Sequence, residues 1–429
     1  MMLLSKRRVV VSGIGILSPV GIGHEEFWKN VIAGVSGVER SPTLVDSDSP
    51  WKIAGEVKDF HPENWLGRKD PKRMDRFTHL GLVASLMALQ DAHLNPEIED
   101  RERMGVVMGT AYAGWEFAAR EYEVYKDRGI EAMSAYMGIA IFTGACGGQT
   151  SLRIGFQGPS LTTSTGCDCS SATVAQAAEL IANNDADVMV AGGADAPIHP
   201  IVVAALGVSR ALSERNFEPH QASRPYDRKR DGFVMSEGAG VLVLEEYERA
   251  KRRGAHIYAE IIGWASTCDA YHMCQPAPDG TQGARAMKLA FAKAGVRPTQ
   301  IDYVNAHGTS TPLGDKAETT VMKNVFGEDV YRVPISSIKS SLGHMQGACG
   351  SVELAACCLA LRDNIVPPTI NYEYPDPECD LDVVPNRCRH RPLNIVMSTS
   401  LGFGGRNTAV VLQRYTNGNG NGHGPATSV

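Results

Sequence analysis

The sequence predicts an α/β protein built from two similar halves. Patterns typical of buried strands alternate with helical patterns along the chain, and in each half polar, glycine-containing segments follow the strands. The chain has 429 residues, 43% hydrophobic and 21% charged, which is enough for one large core or two closely joined ones. We therefore expect a site built between two related lobes, although the sequence alone does not prove that they are duplicates.

The first half combines apolar runs that favour strands with segments of helical spacing. The helix that starts near Asp168 has apolar residues at i, i+3, i+4 and i+7, so one of its sides should face the core. In order, we predict a strand in 7–19, a helix in 25–34, a helix in 79–94, a strand in 101–110, a helix in 168–183 and a strand in 187–193.

The second half repeats this alternation and ends in a hairpin. In order, we predict a strand in 255–266, a helix in 280–296, a strand in 301–310, a helix in 316–327, a strand in 333–340, a helix in 349–363 and a closing hairpin in 394–415. The two halves should therefore be residues 7–254 and 255–415. Residues 416–429 are rich in glycine and asparagine and predict a flexible, disordered tail.

Composition excludes several classes of protein. The formal net charge of −6, from 42 basic and 48 acidic residues, argues against a nucleic-acid binder. No apolar run approaches the roughly 20 residues of a membrane span, and no secretory signal pattern opens the chain. The ten cysteines lack the paired CxxC spacing typical of zinc sites. We expect a cytoplasmic protein with reduced thiols and no metal.

Two cysteines one residue apart, Cys167 and Cys169, follow the polar run SLTTST. Cys167 is expected at the first turn of a helix, where backbone N–H groups and the helix dipole favour the thiolate, and Gly166 permits the tight turn before it. A buried structural cysteine is the alternative. A C-x-C pair alone is weak evidence for a metal clip, and redox pairs normally have two residues between the sulfurs. The pattern favours Cys167 as a nucleophile and Cys169 as its neighbour.

Two histidines lie in glycine-flanked polar segments of the second half. His307 stands in NAHGTSTPLGD, and His344 follows Lys339 in SSIKSSLGHMQGACG. A histidine at a helix N-terminus is biased toward its neutral form, in which it donates one hydrogen bond. Two such rings could hold a carbonyl oxygen on which negative charge develops, as in an enolate. Taken singly, a histidine is more often a surface residue or a satisfied core residue than a functional one, but the glycine-flanked setting of these two differs from that of the other ten.

Together these segments resemble a known family. STGC with Cys167, NAHGTSTP with His307, SSIKSSLGH with Lys339 and His344, and GFGGRN resemble the signature set of the β-ketoacyl-acyl carrier protein synthases, the elongating condensing enzymes of the thiolase superfamily. KRMDRF, GPSLTTSTGC, ASRPYDRKRDGFVMSEGAGVLVLE, DAYHM and NIVPPTIN also match, so the resemblance runs from about 7 to 415. It implies a thiolase-like, five-layered α/β/α/β/α fold. Residues 195–205 resemble the α ketosynthase of type II polyketide systems.

The resemblance implies a role for each signature residue. Cys167 would accept an acyl chain as a thioester, and His307 and His344 would hold a malonyl thioester carbonyl and promote its decarboxylation. The backbone N–H groups of Cys167 and Phe403 would form an oxyanion hole. Lys339 would order the histidines with Glu318 as its ion partner.

The resemblance also implies how substrates reach the site. Thr309 and Thr311 would bind the amides of a phosphopantetheine arm, and Phe403 would act as a gate to the acyl pocket. The arm belongs to an acyl carrier protein, so no resident cofactor is expected. Carrier proteins are acidic, and a basic segment that extends to Arg76 could dock one, although a solvated helix start is the alternative. Its proposed docking residues are Arg68, Lys69, Lys72 and Arg73.

The partner subunit is expected to be a second copy or a ketosynthase-like chain-length factor, because enzymes of this family complete their acyl pocket across a dimer. Several alternatives stay open. A thiolase shares the fold and the nucleophilic cysteine but usually has a second cysteine in place of the paired histidines. A non-catalytic chain-length factor usually lacks Cys167. A starter acyltransferase would keep the thiol without elongating the chain.

Several positions depart from the family pattern. Asp168 follows the nucleophile where a small uncharged residue is usual, and its effects on Cys167 should cancel. Leu401 replaces a common aromatic residue, and Arg406 stands where threonine is usual, so gating and pocket shape should differ. Cys169 and Ser171 are also unusual choices.

Overall fold

The computed structural model describes residues 6–416. Apart from Thr416, the predicted tail lies outside the described residues. No helix in the described range is long and apolar enough to cross a membrane. Nor does any group of three or more His, Cys, Asp or Glu side chains between residues 6 and 416 have the arrangement of a metal site.

Fifteen strands and fourteen α-helices are described. The strands are β1 Val9–Ser18, β2 Gly21–Ile22, β3 Val38–Arg40, β4 Ile53–Gly55, β5 Met104–Gly109, β6 Ser160–Thr163, β7 Val188–Asp195, β8 Gly238–Glu246, β9 Ala259–Cys268, β10 Tyr303–Asn305, β11 Ile335–Ser336, β12 Ile365–Val366, β13 Arg389–His390, β14 Ile395–Gly402 and β15 Arg406–Arg414. The helices are α1 His24–Ile32, α2 Pro42–Val45, α3 Glu63–Leu66, α4 Arg76–Asp91, α5 Trp115–Arg128, α6 Met137–Ala140, α7 Ala145–Ile154, α8 Cys169–Ala182, α9 Pro200–Val208, α10 Tyr247–Arg252, α11 Thr281–Ala294, α12 Pro312–Phe326, α13 Lys339–Leu342 and α14 Cys349–Asp363.

The main sheet contains the same five-stranded arrangement twice. The order β1-β8-β7-β5-β6 in the first half matches β9-β15-β14-β10-β11 in the second. In both sets the first three strands pair antiparallel and the last three pair parallel. Antiparallel pairing of β1 with β9 joins the two sets. The repeat changes over between Arg252 and Ala259, and the boundary at 254/255 stays a prediction.

Helices cover both faces of each set of strands. Helices α4 and α7 pack on the outer face of the first set, and α11 and α12 pack on the outer face of the second. Helices α8 and α14 pack against each other between the two sets, in the largest buried cluster. The layers are therefore α/β/α/β/α, as the family resemblance implies.

Each element predicted from periodicity is present. Most element ends lie within two residues of the prediction and the others within five; the helix in 349–363 agrees at both ends. β6 was not predicted, because its side chains are half-buried or exposed and its sequence SLTT gives no apolar alternation. β8 was also missed, although its sequence GAGVLVLEE is buried throughout.

The topology also explains where the polar segments meet. Cys167 follows β6 and precedes α8, while His344 follows β11 and precedes α14, which are the equivalent positions in the repeat. His307 follows β10 and Phe403 follows β14. Because β10, β11 and β14 run parallel, their carboxyl ends lie at one edge of the sheet.

Candidate active site

The segments that follow these strands line one pocket of about 350 Å³. Seven of the residues proposed from the sequence lie in its lining: Cys167, His307, His344, Phe403, Thr309, Thr311 and Glu318. The structure thus brings the nucleophile, both imidazoles and the two threonines to a common cavity. Lys339 lies behind the histidines, and the basic segment 68–73 is not part of the lining.

Cys167 lies in a tight turn two residues before the first residue of α8. Gly166 has φ 89°, a conformation that residues with a Cβ rarely adopt. Burial raises the pKa of the Cys167 thiol to about 11, although the Phe403 backbone N–H and the Lys339 charge both lower it. The expected net preference for thiolate is therefore wrong for the resting protein, because burial outweighs the other effects. The sulfur lies 3.7 Å from Gln346 Oε1.

The two histidine rings lie edge to face, with centroids 5.5 Å apart and an interplanar angle of 87°. Lys339 Nζ lies 3.2 Å from His307 Nδ1, and the Gln346 backbone N–H donates to His344 Nδ1 at 3.1 Å. Because a lysine ammonium and a backbone amide can only donate, both Nδ1 atoms are acceptors. The ring protons are then on Nε2, which is the arrangement that lets each neutral ring donate a hydrogen bond.

Both rings are held in the neutral form. Burial lowers the pKa of His307 well below its usual value, and the charge of Lys339 lowers it further. Burial and Lys339 likewise lower the pKa of His344 well below the usual value. The pair can therefore donate hydrogen bonds to an oxygen without adding positive charge to the pocket.

Lys339 forms its ion pair with Glu353 on α14, not with Glu318 as predicted. Both side chains are 2% exposed. Burial alone would lower the pKa of Lys339, but the Glu353 carboxylate, together with nearby Cys349 and Glu318, more than offsets this effect and the pKa is raised. Glu353 is the only charged residue in the first thirteen positions of this helix, CGSVELAACCLAL, and this was the sequence signal for the partner.

Glu318 instead fixes the backbone around His307. Its carboxylate accepts hydrogen bonds from the N–H groups of His307 and Gly308, both at 2.7 Å, and from the Tyr226 hydroxyl at 2.8 Å. Asp315, one turn earlier on α12, accepts from the N–H group of Thr309 at 3.0 Å. Helix α12 thus orients the whole segment that carries His307.

Phe403 lies in the turn between β14 and β15, and we call residues 402–405 the Phe403 loop. The residue is 39% exposed, and its backbone N–H group lowers the pKa of the Cys167 thiol. Gly404 donates to the Met273 carbonyl at 2.8 Å, and the Gly405 carbonyl accepts from Asp269 at 2.7 Å. These bonds attach the Phe403 loop to residues 269–273.

Gln346, which the sequence analysis did not single out, also belongs to the site. Its φ of 50° lies in the left-handed region, which is unusual for a residue with a side chain. Its backbone orients His344, and its side chain reaches Cys167. The polar residue in the glycine-flanked sequence GHMQGACG was the available signal.

Two further predictions concern the pocket mouth and the surface. The hydroxyls of Thr309 and Thr311 lie 2.9 Å apart and line the pocket. The side chains of the docking segment are exposed at positions 68, 69, 72 and 73, around a short 3₁₀ turn at Asp70–Arg73. Arg76 differs from them, because it is half-buried and paired with Glu237.

The comparisons with known proteins agree with this geometry. Residues 6–250 match the family model of the β-ketoacyl synthase N-terminal domain, and residues 258–373 match that of the C-terminal domain. A 3-oxoacyl-[acyl-carrier-protein] synthase 2 from Synechocystis sp. is 41% identical over 412 residues, 96% of this chain and 99% of the relative.

Solved structures give the same assignment. A type II PKS ketosynthase, solved with its acyl-carrier protein and bound to a hexaketide, superposes with a TM-score of 0.89 at 34% identity, covering 96% of this chain and 100% of the other. The ishigamide ketosynthase/chain length factor gives 0.89 at 32% identity, with the same coverage. The chain therefore belongs to the β-ketoacyl synthase family. The predicted thiolase-like fold and elongating condensing activity, an acyltransferase chemistry in fatty-acid or polyketide synthesis, are confirmed.

Proposed function

We propose that the protein joins an acyl group held on Cys167 to a malonyl group delivered by an acyl carrier protein. The observation that carries this proposal is the shared cavity, in which one thiol faces two neutral imidazoles with Nε2 protons. A thiol suits the covalent holding of one substrate, and a pair of neutral donors suits the oxygen of the other.

In the first half-reaction the Cys167 sulfur attacks the acyl thioester and the pantetheine thiol leaves. The negative charge on the tetrahedral intermediate is placed beside the N–H groups of Cys167 and Phe403, which form the proposed oxyanion hole. The sulfur starts as a thiol because burial raises its pKa to about 11. Attack therefore requires loss of the thiol proton, which is balanced by the proton that the departing pantetheine sulfur takes up, and the product thioester is uncharged in a buried site.

In the second half-reaction the histidines act on the malonyl thioester. His307 and His344 donate Nε2 hydrogen bonds to its carbonyl oxygen, and the carbon–carbon bond to the carboxylate breaks to release carbon dioxide. The enolate carbon then attacks the acyl carbonyl, and the Cys167 sulfur leaves. Lys339, paired with Glu353, keeps His307 Nδ1 an acceptor so that its proton stays on Nε2.

The pocket mouth and the adjacent surface suit a carrier protein. Thr309 and Thr311 would bind the pantetheine amides, which supplies the arm without a resident cofactor. Exposed Arg68, Lys69, Lys72 and Arg73 would attract an acidic carrier. The solved type II ketosynthase bound to its carrier protein supports this partner.

A dimer would cover an exposed edge of the first set of strands. β6 is the last strand of its sheet, and Leu161 on it is 39% exposed. Exposed apolar side chains are also frequent in residues 115–142, which include Tyr122, Ile130 and Phe142. A second copy or a chain-length factor would fit this face.

The free cysteines of the described chain agree with the proposed cytoplasmic location.

The test is intact-mass spectrometry with acyl-loaded and malonyl-loaded carrier proteins. We expect an acyl adduct on Cys167 that disappears on adding malonyl carrier, with release of carbon dioxide and a β-ketoacyl carrier as product. An adduct without a new carbon–carbon bond would favour starter acyl transfer, and no adduct would contradict the proposal. Comparing saturated with polyketide acyl chains would decide between fatty-acid synthesis and the type II polyketide role proposed from 195–205.

A further inference from the structure

A buried carboxylate oxygen without a hydrogen-bond partner lies beside the nucleophile. Asp168 is only 3% exposed, and its Oδ2 accepts the Thr408 hydroxyl at 2.9 Å. Its Oδ1 is buried and makes no hydrogen bond with a described residue; the nearby Thr165 hydroxyl, which lowers the pKa of Asp168, is likewise buried without a hydrogen-bond partner and carries no charge to balance the carboxylate. Leaving a buried carboxylate oxygen unpaired is costly, which points to a donor that reaches it in another conformation.

Arg406 is the cation that the fold places within reach. It stands two residues before Thr408 on β15, and side chains two apart on a strand project to the same side, about 7 Å from each other. An arginine side chain can span that distance. Arg406 is exposed and makes no ion pair with any described residue, and its charge already lowers the pKa of Asp168 against the raising effect of burial.

In the present conformation Arg406 lies along the Phe403 loop. A Cβ added to Gly404 would lie 3.9 Å from Arg406 Nε, and one added to Gly402 would lie 3.7 Å from Asp168 Oδ1. Asp168 therefore lies close to Gly402, at the start of the Phe403 loop. It also accepts a hydrogen bond from Thr408 on β15, which follows the end of the loop. A movement of the loop would change the distance between the carboxylate and the guanidinium.

We propose that Asp168 is a positioning residue for the Phe403 loop: when the loop moves to admit an acyl chain, Arg406 pairs with Asp168 Oδ1 and holds the loop away from Cys167. This inference rests on the proposed function, together with the gating role that the family resemblance implies for Phe403. The charge of Asp168 raises the pKa of Cys167. Its neutralisation by Arg406 would therefore favour the thiolate at the moment when the acyl channel opens.

The pair should matter most for long acyl groups, which need the largest displacement of the loop. The test measures the rate of acyl transfer to Cys167 from acetyl-loaded and decanoyl-loaded carrier protein, with iodoacetamide alkylation of Cys167 as a reaction that does not require the gate. The variants are R406Q, R406K, D168N and the double variant D168N/R406Q. R252Q removes another exposed arginine that has no ion pair with a described residue and serves as the matched control.

We expect R406Q to slow decanoyl transfer about tenfold and acetyl transfer less than about twofold, because one charge-assisted hydrogen bond is lost only in the open state. R406K should restore most of the rate, and the double variant should be no slower than R406Q, since the two residues act as one pair. R252Q should match the wild type.

Three results would contradict the proposed Asp168–Arg406 pair. R406Q could slow acyl transfer equally from both carriers, the effects of the two substitutions could multiply in the double variant, or R406K could fail to restore the rate. Because Arg406 is exposed, R406Q and R406K keep the test valid if D168N does not fold. Absence of acyl transfer to the wild-type protein from either carrier would contradict the proposed function, and the inference with it.

Discussion

At the residue scale, the chemistry depends on which atoms the protein orients and neutralises. The pair Lys339–Glu353 is fully buried and fixes the hydrogen-bonding state of His307. The sequence pointed to Lys339 but named the wrong carboxylate, because two buried glutamates follow different strands and only the packing of α14 decides between them. A buried charge is tolerated where an opposite charge or several hydrogen bonds compensate it.

Replacing Glu353 by glutamine should therefore destabilise the protein strongly. E353Q leaves the Lys339 charge buried without a counter-charge, and the free energy of unfolding in urea should fall by about 3–5 kcal/mol. The exposed pair Lys316–Glu378 supplies the control, and E378Q should cost less than about 1 kcal/mol. Equal losses of unfolding free energy in the two variants would show that the buried pair stabilises the protein no more than the exposed pair does.

The neutral histidines predict how decarboxylation depends on pH. Neutral imidazole is the form present above the pKa, and the pKa values of His307 and His344 are both well below the usual 6.5. Malonyl decarboxylation should therefore keep its rate as the pH falls through 6.5 and should decline only at lower pH. Carbon dioxide release from malonyl-carrier, measured between pH 5 and 8, checks this. A midpoint near 6.5 would mean that the rings are not shielded as described.

At the element scale, the site depends on the close contact of α8 and α14, which begin just after Cys167 and His344. Gly350 on α14 allows this contact, since an added Cβ would lie 2.0 Å from Ser171 Oγ and 2.6 Å from its backbone nitrogen. Periodicity predicted both helices well. It could not predict that they face each other, because that pairing comes from the repeat of the strand order.

Replacing Gly350 by alanine should separate these helices. We expect G350A to lower the free energy of unfolding by about 1–3 kcal/mol through overpacking and to reduce condensation as Cys167 and His344 move apart. G148A on α7 is the matched helical control, because nothing lies within 4 Å of the added Cβ. Wild-type stability and activity in G350A would contradict the tight contact.

At the scale of the whole molecule, two similar halves supply different parts of one site. The first contributes the nucleophile, and the second contributes the histidines, the lysine and the Phe403 loop. Motif spacing and resemblance indicated nearly all of these residues. The unpaired carboxylate oxygen of Asp168 and the contact between Gln346 and Cys167 could not be predicted. Each depends on packing between residues more than 170 positions apart.

The acidic total charge coexists with a local basic segment, and binding of a carrier should depend on that segment. Reversing Lys69 and Lys72 to glutamate should raise the KM for malonyl-carrier about tenfold with little change in kcat, and should weaken the dependence of KM on salt. K288E on the outer helix α11 is the control. A KM unaffected by K69E/K72E would place docking elsewhere.

The central claim is that the thiol holds one substrate while the imidazoles act on the other. The most direct measurement follows both half-reactions in H307A, H344A and C167A, as acyl adduct by intact mass and as carbon dioxide released from malonyl-carrier. Both histidine variants should form the adduct in wild-type amount yet lose at least about 100-fold in decarboxylation, and C167A should form no adduct. Full decarboxylation in either histidine variant, or an adduct in C167A, would contradict the claim.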